Sequence, residues 1–185
     1  MWVRWKPEHD PCPECGFSWG IAVTGAVELV RGSPARYEEA VRGRDATAPV
    51  LPGAWSPGQY LWHMVDVLRN GTERLWTIGI DPENGVPCWD ENELAEVRSY
   101  DRQSVAVGLR AYERSVTGWC EAAEEVRSDA LTVHAELGTI SASDVIRRNA
   151  HECRHHLVDI QKAPVPEVGS WSDSESRTGA ATDAG

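Results

Sequence analysis

Positive charge is scarce in this sequence: 18 Lys and Arg stand against 29 Asp and Glu, a formal net charge of −11. No basic cluster interrupts that balance, and contact with nucleic-acid phosphates needs a basic footprint, so no nucleic-acid partner is expected. No apolar run reaches the roughly 18 residues that a membrane span requires, so no membrane association is expected either. The N-terminal stretch MWVRWKPEHDPCPECGFSWG has no apolar core and no cleavage pattern, which points to a cytoplasmic protein. Cysteine is sparse and odd in number, five residues at positions 12, 15, 88, 120 and 153. That argues against a disulfide framework and for reduced thiols. Phenylalanine occurs once beside nine tryptophans. Lysine occurs only at positions 6 and 162, and the resulting Arg bias, with abundant Ala, Gly and Val, hints at the GC-rich genome of an actinobacterium.

A chain of 185 residues is most simply one domain with length enough for a real core. Residues 1–20, rich in Trp, Pro and Cys, read as an irregular N-terminal arm that Trp2, Trp5 and Trp19 would pin to the rest. Helical patterning begins near Ile21, breaks at Gly32-Ser33-Pro34 and restarts with Ser33 as the expected N-cap. Residues 46–55 read as a loop. A long helix follows from Ser56 as N-cap and Pro57, with Leu61, Met64, Val65, Leu68, Leu75 and Trp76 at helical spacing. Residues 81–90 form a Pro/Gly loop and 91–99 a short helix. Residues 101–126 read as a long helix with Val105, Leu109, Tyr112, Val116 and Trp119 on one stripe. Residues 129–140 read as a loop with a short extended piece. Ser141 or Ser143 caps a last helix that runs to about Gln161. The small, polar, acidic residues 163–185 are expected to form a disordered tail. Four substantial helices without a convincing strand imply an all-α, antiparallel four-helix bundle over residues 21–162.

The chemistry concentrates in NAHECRHHLVDI, residues 149–160. His151 and His155 stand four apart, as do Glu152 and His156, so each pair shares one helix face. His151-Glu152-Cys153-Arg154-His155 has the letters of a zinc-peptidase helix. That chemistry needs a third ligand downstream, and only Glu167 and Glu175 in the expected tail follow. On a wheel of about 100° per residue, Ile146, Ala150, Cys153, Leu157 and Ile160 gather on the core side. His156 lies about 60° and Glu152 about 100° from that centre, whereas His151 and His155 lie about 160° away, toward solvent. The wheel therefore favours Glu152 and His156 as inward donors. His63, inside the apolar stretch YLWHMVDV, is a candidate third donor from the second helix. Three protein ligands and an open position characterise a catalytic rather than a structural metal. Asp66 and Asp159, each three residues after a candidate ligand, read either as orienters of the imidazoles or as surface acids. Arg147, Arg148 and Arg154 read mainly as a solvated face.

These residues resemble a known family. WSPGQYLWHMVDV is similar to the second-helix motif of the DinB/YfiT-like superfamily, and HHLVDI to its fourth-helix motif. The resemblance spans roughly residues 25–162 and is closest to the mycothiol-dependent maleylpyruvate isomerase branch. It implies a four-helix bundle with a divalent metal, zinc or nickel, held by His63, Glu152 and His156. It further implies a thiol S-transferase or isomerase whose partners are a small thiol such as mycothiol and a small electrophile. One departure stands out: relatives place His where Glu152 stands, and the sulfoxide-synthase relatives carry a His-Glu-x-x-His run. The alternative register, His151 with His155, therefore stays open, as does a non-catalytic metal-binding or interaction bundle. The catalytic residues and any homodimer are left open as well.

CPECGF places Cys12 and Cys15 as half of a zinc knuckle. His9, Cys88, Cys120 or Cys153 are the candidates to complete it. A redox dithiol and a plain local turn are the other two readings.

Overall fold

The computed structural model describes residues 10–165. The expectations for Trp2, Trp5, His9 and the tail beyond residue 165 lie outside the described residues. Six helices and one hairpin follow in order: α1 (Val23–Arg31), α2 (Ser33–Val41), α3 (Pro57–Ile80), α4 (Glu91–Val97), α5 (Val105–Glu125), β1 (Leu131–His134), β2 (Gly138–Ser141) and α6 (Ala142–Gln161). The four members of the bundle are the broken rod α1/α2, then α3, α5 and α6. Helix α3 packs along α5 and α6, and α1 and α2 cross the same two helices. Among the described residues, no helix is long and apolar enough to cross a membrane.

Local chemistry sets the helix ends. Ser56 and Gln59 form a reciprocal capping box at the start of α3, with Gln59 N donating to Ser56 Oγ at 3.3 Å and Ser56 N to Gln59 Oε1 at 3.0 Å. Ser141 and Asp144 do the same for α6. The α1–α2 break differs from expectation at one residue. Gly32 takes the N-cap position and Ser33 is the first residue of α2. The Ser33 side chain is buried, donates to Val30 O at 2.6 Å and pairs with Tyr112 Oη at 2.7 Å, so it is used up bridging to α5. Helix α5 starts four residues later than expected because Ser104 caps it and Tyr100–Arg102 form a separate 3-10 turn. The extended piece after α5 becomes a two-stranded antiparallel hairpin pairing Leu131 with Ser141 and His134 with Gly138. Thr132 Oγ1 ties it to Pro82 O at 2.7 Å, closing the end of α3.

The core holds Trp119, Tyr37, Tyr112, Leu61, Met64, Leu68, Leu75, Ile146 and Ile160, all fully buried. Each large apolar side chain contributes about 1.5–3 kcal/mol by leaving water. Two polar contacts fix the phase of α6 within this core. Tyr37 Oη donates to Cys153 O at 2.9 Å, and Tyr112 Oη lies 3.1 Å from Cys153 Sγ. A third polar contact joins α5 to α6, where Trp119 Nε1 donates to Asn149 Oδ1 at 2.9 Å.

Gly71 on α3 lies against that last pair. A Cβ there would land on Asn149 Oδ1 and sit 2.9 Å from Trp119 Nε1. Overpacking costs about 1–3 kcal/mol, and disturbing the Trp119–Asn149 bond adds about 1 kcal/mol. Alanine returns only about 1 kcal/mol in helix propensity. Gly71→Ala is therefore expected to lower stability by about 1–3 kcal/mol in urea denaturation; a gain in stability would contradict this packing.

Candidate metal centre

Two interleaved pairs of side chains leave α6 in different directions, and each meets donors from another part of the chain. On one flank, Glu152 and His156 face His63 of α3. The imidazoles of His63 and His156 meet edge to face with centroids 4.9 Å apart, and His156 Nε2 lies 3.1 Å from Glu152 Oε2. One donor atom from each of the three lies within 4.8 Å of the others. Trp55 packs against the His63 ring at 5.0 Å and Tyr60 against His156 at 5.1 Å, so aromatic rings flank both histidines.

The electrostatics of this group follow from burial and two carboxylates. Burial pushes the His63 imidazole down to about 3, which keeps it neutral, the form in which imidazole binds a metal. Burial would also discharge Glu152, yet hydrogen bonds from His151 and His156 outweigh it and hold the carboxyl well below its usual range. For His156 burial opposes the charged form, but the bonds to Asp159 and Glu152 prevail and raise it to about 9. Asp159 Oδ2 lies 3.0 Å from His156 Nδ1, which leaves Nε2 for the site, and Lys162 Nζ donates to the other Asp159 oxygen at 2.6 Å. Asp159 thus contacts an imidazole as an orienting acid does.

Asp66 behaves otherwise, and neither sequence reading of it holds. It is buried, and its oxygens are taken by Arg98, by the Tyr100 hydroxyl and, at 3.6 Å, by Arg69. The turn after α4 brings Arg98 and Tyr100 over α3 and claims the carboxylate. Its link to the site is indirect: Tyr100 packs edge-on at 6.4 Å against Trp55, which covers His63.

The other flank of α6 corrects the helical wheel. His151 is buried and His155 partly so, because the N-terminal arm covers the face assigned to solvent. A wheel built on the apolar stripe accounts for the bundle core but not for a segment without periodicity packing from outside. Cys12, Cys15, His151 and His155 bring one donor atom each within 4.8 Å of one another. None of the proposed completions of the Cys12/Cys15 pair among the described residues is the one observed. Cys120 and Cys153 lie in the core, and Cys88 sits 3.8 Å from His134 Nδ1. The arginines of α6 do not share one solvated face, since only Arg154 of the three is exposed. Arg148 is buried, Arg147 Nε donates to Ile21 O at 2.9 Å, and Arg154 Nε donates to Cys15 O at 2.6 Å. A signal for the second cluster was present, since Cys-x-x-Cys and His-x-x-x-His match the spacing of a structural zinc site. The 135 intervening residues hid it. A third donor group, Glu14 with His155 and Asp159, shares two of its members with these arrangements.

The DinB superfamily model matches residues 4–160. The chain belongs to the DinB superfamily. Two solved four-helix bundles share the DinB-like fold seen here. YfiT from Bacillus subtilis, described as a probable metal-dependent hydrolase with an unusual four-helix bundle topology, aligns with a TM-score of 0.70 at 15% identity, covering 76% of this chain and 86% of that one. The four-helix bundle protein TT2238 aligns with a TM-score of 0.54 at 18% identity, covering 74% of this chain and 95% of that one. No curated protein matches the sequence significantly.

The Asp66 contacts give a direct test of its role. Asp66→Ala strands the buried Tyr100 hydroxyl, at about 1–3 kcal/mol. The half-exposed Arg98 recovers its hydration and adds little. Urea denaturation should register a loss of about 1–3 kcal/mol, and an unchanged midpoint would contradict this anchoring role.

Proposed function

We propose that this DinB-like chain is a metal-dependent enzyme that transfers or isomerises small electrophiles with the help of a low-molecular-weight thiol of the mycothiol type. The observation that carries the reading is the three-donor group His63, Glu152 and His156, drawn from two facing helices and flanked by aromatic rings. Two imidazoles and one carboxylate suit zinc, with nickel the second choice. Three protein donors leave a place for an exogenous ligand, as catalytic rather than structural sites do. A divalent ion bound here supplies Lewis acidity that favours the thiolate form of an incoming thiol.

The protein's own residues prepare that chemistry. His63 is already neutral and Glu152 already ionised, so both present a free electron pair. One carboxylate against a divalent charge leaves one net positive charge in the site, which an anionic thiolate neutralises and a neutral thiol does not. Asp159 holds the His156 ring by Nδ1 and directs Nε2 inward. Trp55 and Tyr60 supply an apolar wall that strengthens electrostatic attraction by excluding water. A thiol held there would release its proton to solvent, and its sulfur would then form a bond to an electrophilic carbon. In a transfer the leaving group departs with its electron pair, and in an isomerisation the same C–S bond later breaks again.

A hydrolytic use of the same residues is the second reading, favoured by the fold shared with YfiT and its description as a probable metal-dependent hydrolase. A bound water would then take the place of the thiol. Thermal denaturation of the metal-loaded protein separates the two. Mycothiol at about 100 times its dissociation constant should stabilise the wild type by about 2.7 kcal/mol, a shift of several degrees, and leave His63→Ala unmoved. No shift in the loaded wild type would sink the thiol reading. Asp159→Asn is expected to weaken by 10–100-fold the metal equivalent that His63→Ala abolishes, measured by competition with a chromophoric chelator. An unchanged affinity would remove Asp159 from the site.

A further inference from the structure

The second donor cluster belongs to no part of the proposed reaction, and its composition is different in kind. Its members are two thiols and two imidazoles, four soft or borderline donors with no carboxylate. Cys12 and Cys15 are free thiols three residues apart on a tight turn in which Gly16 N donates to Cys12 O at 2.8 Å and Cys12 N to Phe17 O at 2.9 Å. Gly16 sits at φ +66°, the left-handed conformation that lets the chain double back after the second cysteine. From the other side, His151 and His155 stand one helical turn apart on α6. Cys12 Sγ and His155 Nδ1 are 3.7 Å apart. Tetrahedral zinc with Zn–S near 2.3 Å and Zn–N near 2.0–2.1 Å places its sulfur and nitrogen ligands roughly 3.6 Å apart.

We propose that Cys12, Cys15, His151 and His155 form a closed, four-ligand structural zinc site that clamps the N-terminal arm onto α6. The surroundings are those of a built site. Phe17 is buried and meets His151 edge-on at 5.5 Å, Trp19 stacks on the same ring at 4.8 Å, and Arg154 grips the Cys15 carbonyl. These contacts fix the imidazole and the knuckle together, as the supports around metal ligands do. Four protein ligands leave no position for substrate, so the site is structural where the first is open. The two are also adjacent: His151 Nδ1 lies 3.6 Å from Glu152 Oε1, so a clamped arm holds His151 against one donor of the open group. The arm has no regular secondary structure of its own among the described residues, and a metal clamp supplies order that its few apolar residues do not.

The cluster is independent of His63, so its test does not depend on the thiol reading. Full-length protein purified under reducing conditions and loaded with zinc should hold two equivalents per chain. Cys15→Ser should lose one and keep the other, and His63→Ala should lose the other and keep the thiolate-bound one. Cobalt substitution distinguishes them further. The near-ultraviolet thiolate-to-cobalt charge-transfer band should appear in the wild type and in His63→Ala but vanish in Cys15→Ser, and His151→Cys should restore what His151→Ala loses. Should Cys15→Ser not fold, the wild type still decides the matter. Alkylation followed by peptide mass mapping should find Cys12 and Cys15 protected by zinc and reactive once a chelator strips it. An unchanged count in Cys15→Ser, no thiolate-to-cobalt band in the wild type, or Cys12 alkylated equally fast with and without chelator would overturn the proposal. A single wild-type equivalent that Cys15→Ser removes would uphold it and count against the His63 group instead. Isolation with a Cys12–Cys15 disulfide that zinc loading after reduction does not prevent would overturn it in favour of a redox pair.

Discussion

Helical geometry on α6 is the constraint on which the rest of this structure depends. Neighbouring residues are about 100° apart and residues four apart are nearly superimposed, so two donor pairs offset by one position face two different partners. Glu152 and His156 meet α3, whereas His151 and His155 meet the N-terminal arm. The phase that makes this possible is held from the core side of the same turn. Tyr37 and Tyr112 both bond to Cys153, and the capping box at Ser141 fixes where the helix begins. A rotation of α6 by one position that brought Arg154 to the core place of Cys153 would turn Glu152 and His156 from α3 toward the arm and carry His151 and His155 away from it.

The two groups divide their chemistry by donor type. His63, Glu152 and His156 combine borderline nitrogen with hard oxygen and number three, the arrangement suited to an ion that also takes an outside ligand. The arm cluster has thiols where the first has a carboxylate, and it numbers four. Acids placed around the open group do separate tasks. Asp159 holds His156 at Nδ1, whereas Asp66, on α3 one turn beyond His63, anchors the turn that carries Tyr100. Similar positions in the sequence thus serve orientation in one case and scaffolding in the other.

Much of the bundle was legible because its signals are local or periodic. Ser56-Pro57 and Ser141 announce helix starts that the structure places at those residues, and the Leu61–Leu68 spacing marks a buried face. Membership of the DinB superfamily was legible in two short motifs. Ser33 was misread as a cap because its hydroxyl answers to Tyr112, 79 residues away. The hairpin was only half visible, since four-residue strands carry little pattern. The solvent assignment of His151 and His155 failed for a deeper reason. A wheel weighs one helix against the apolar stripe of its own sequence, and the arm that covers the opposite face is aperiodic. Only the matched spacings Cys-x-x-Cys and His-x-x-x-His linked them, across most of the chain.

The central claim is that one helix carries two metal-binding groups on adjacent flanks. Anomalous diffraction at the zinc edge from crystals of the zinc-loaded, reduced protein tests it most directly. The account predicts two peaks per chain, one among His63, Glu152 and His156 and one among Cys12, Cys15, His151 and His155. A single peak on His151 and His155, with none beside His63, would contradict it.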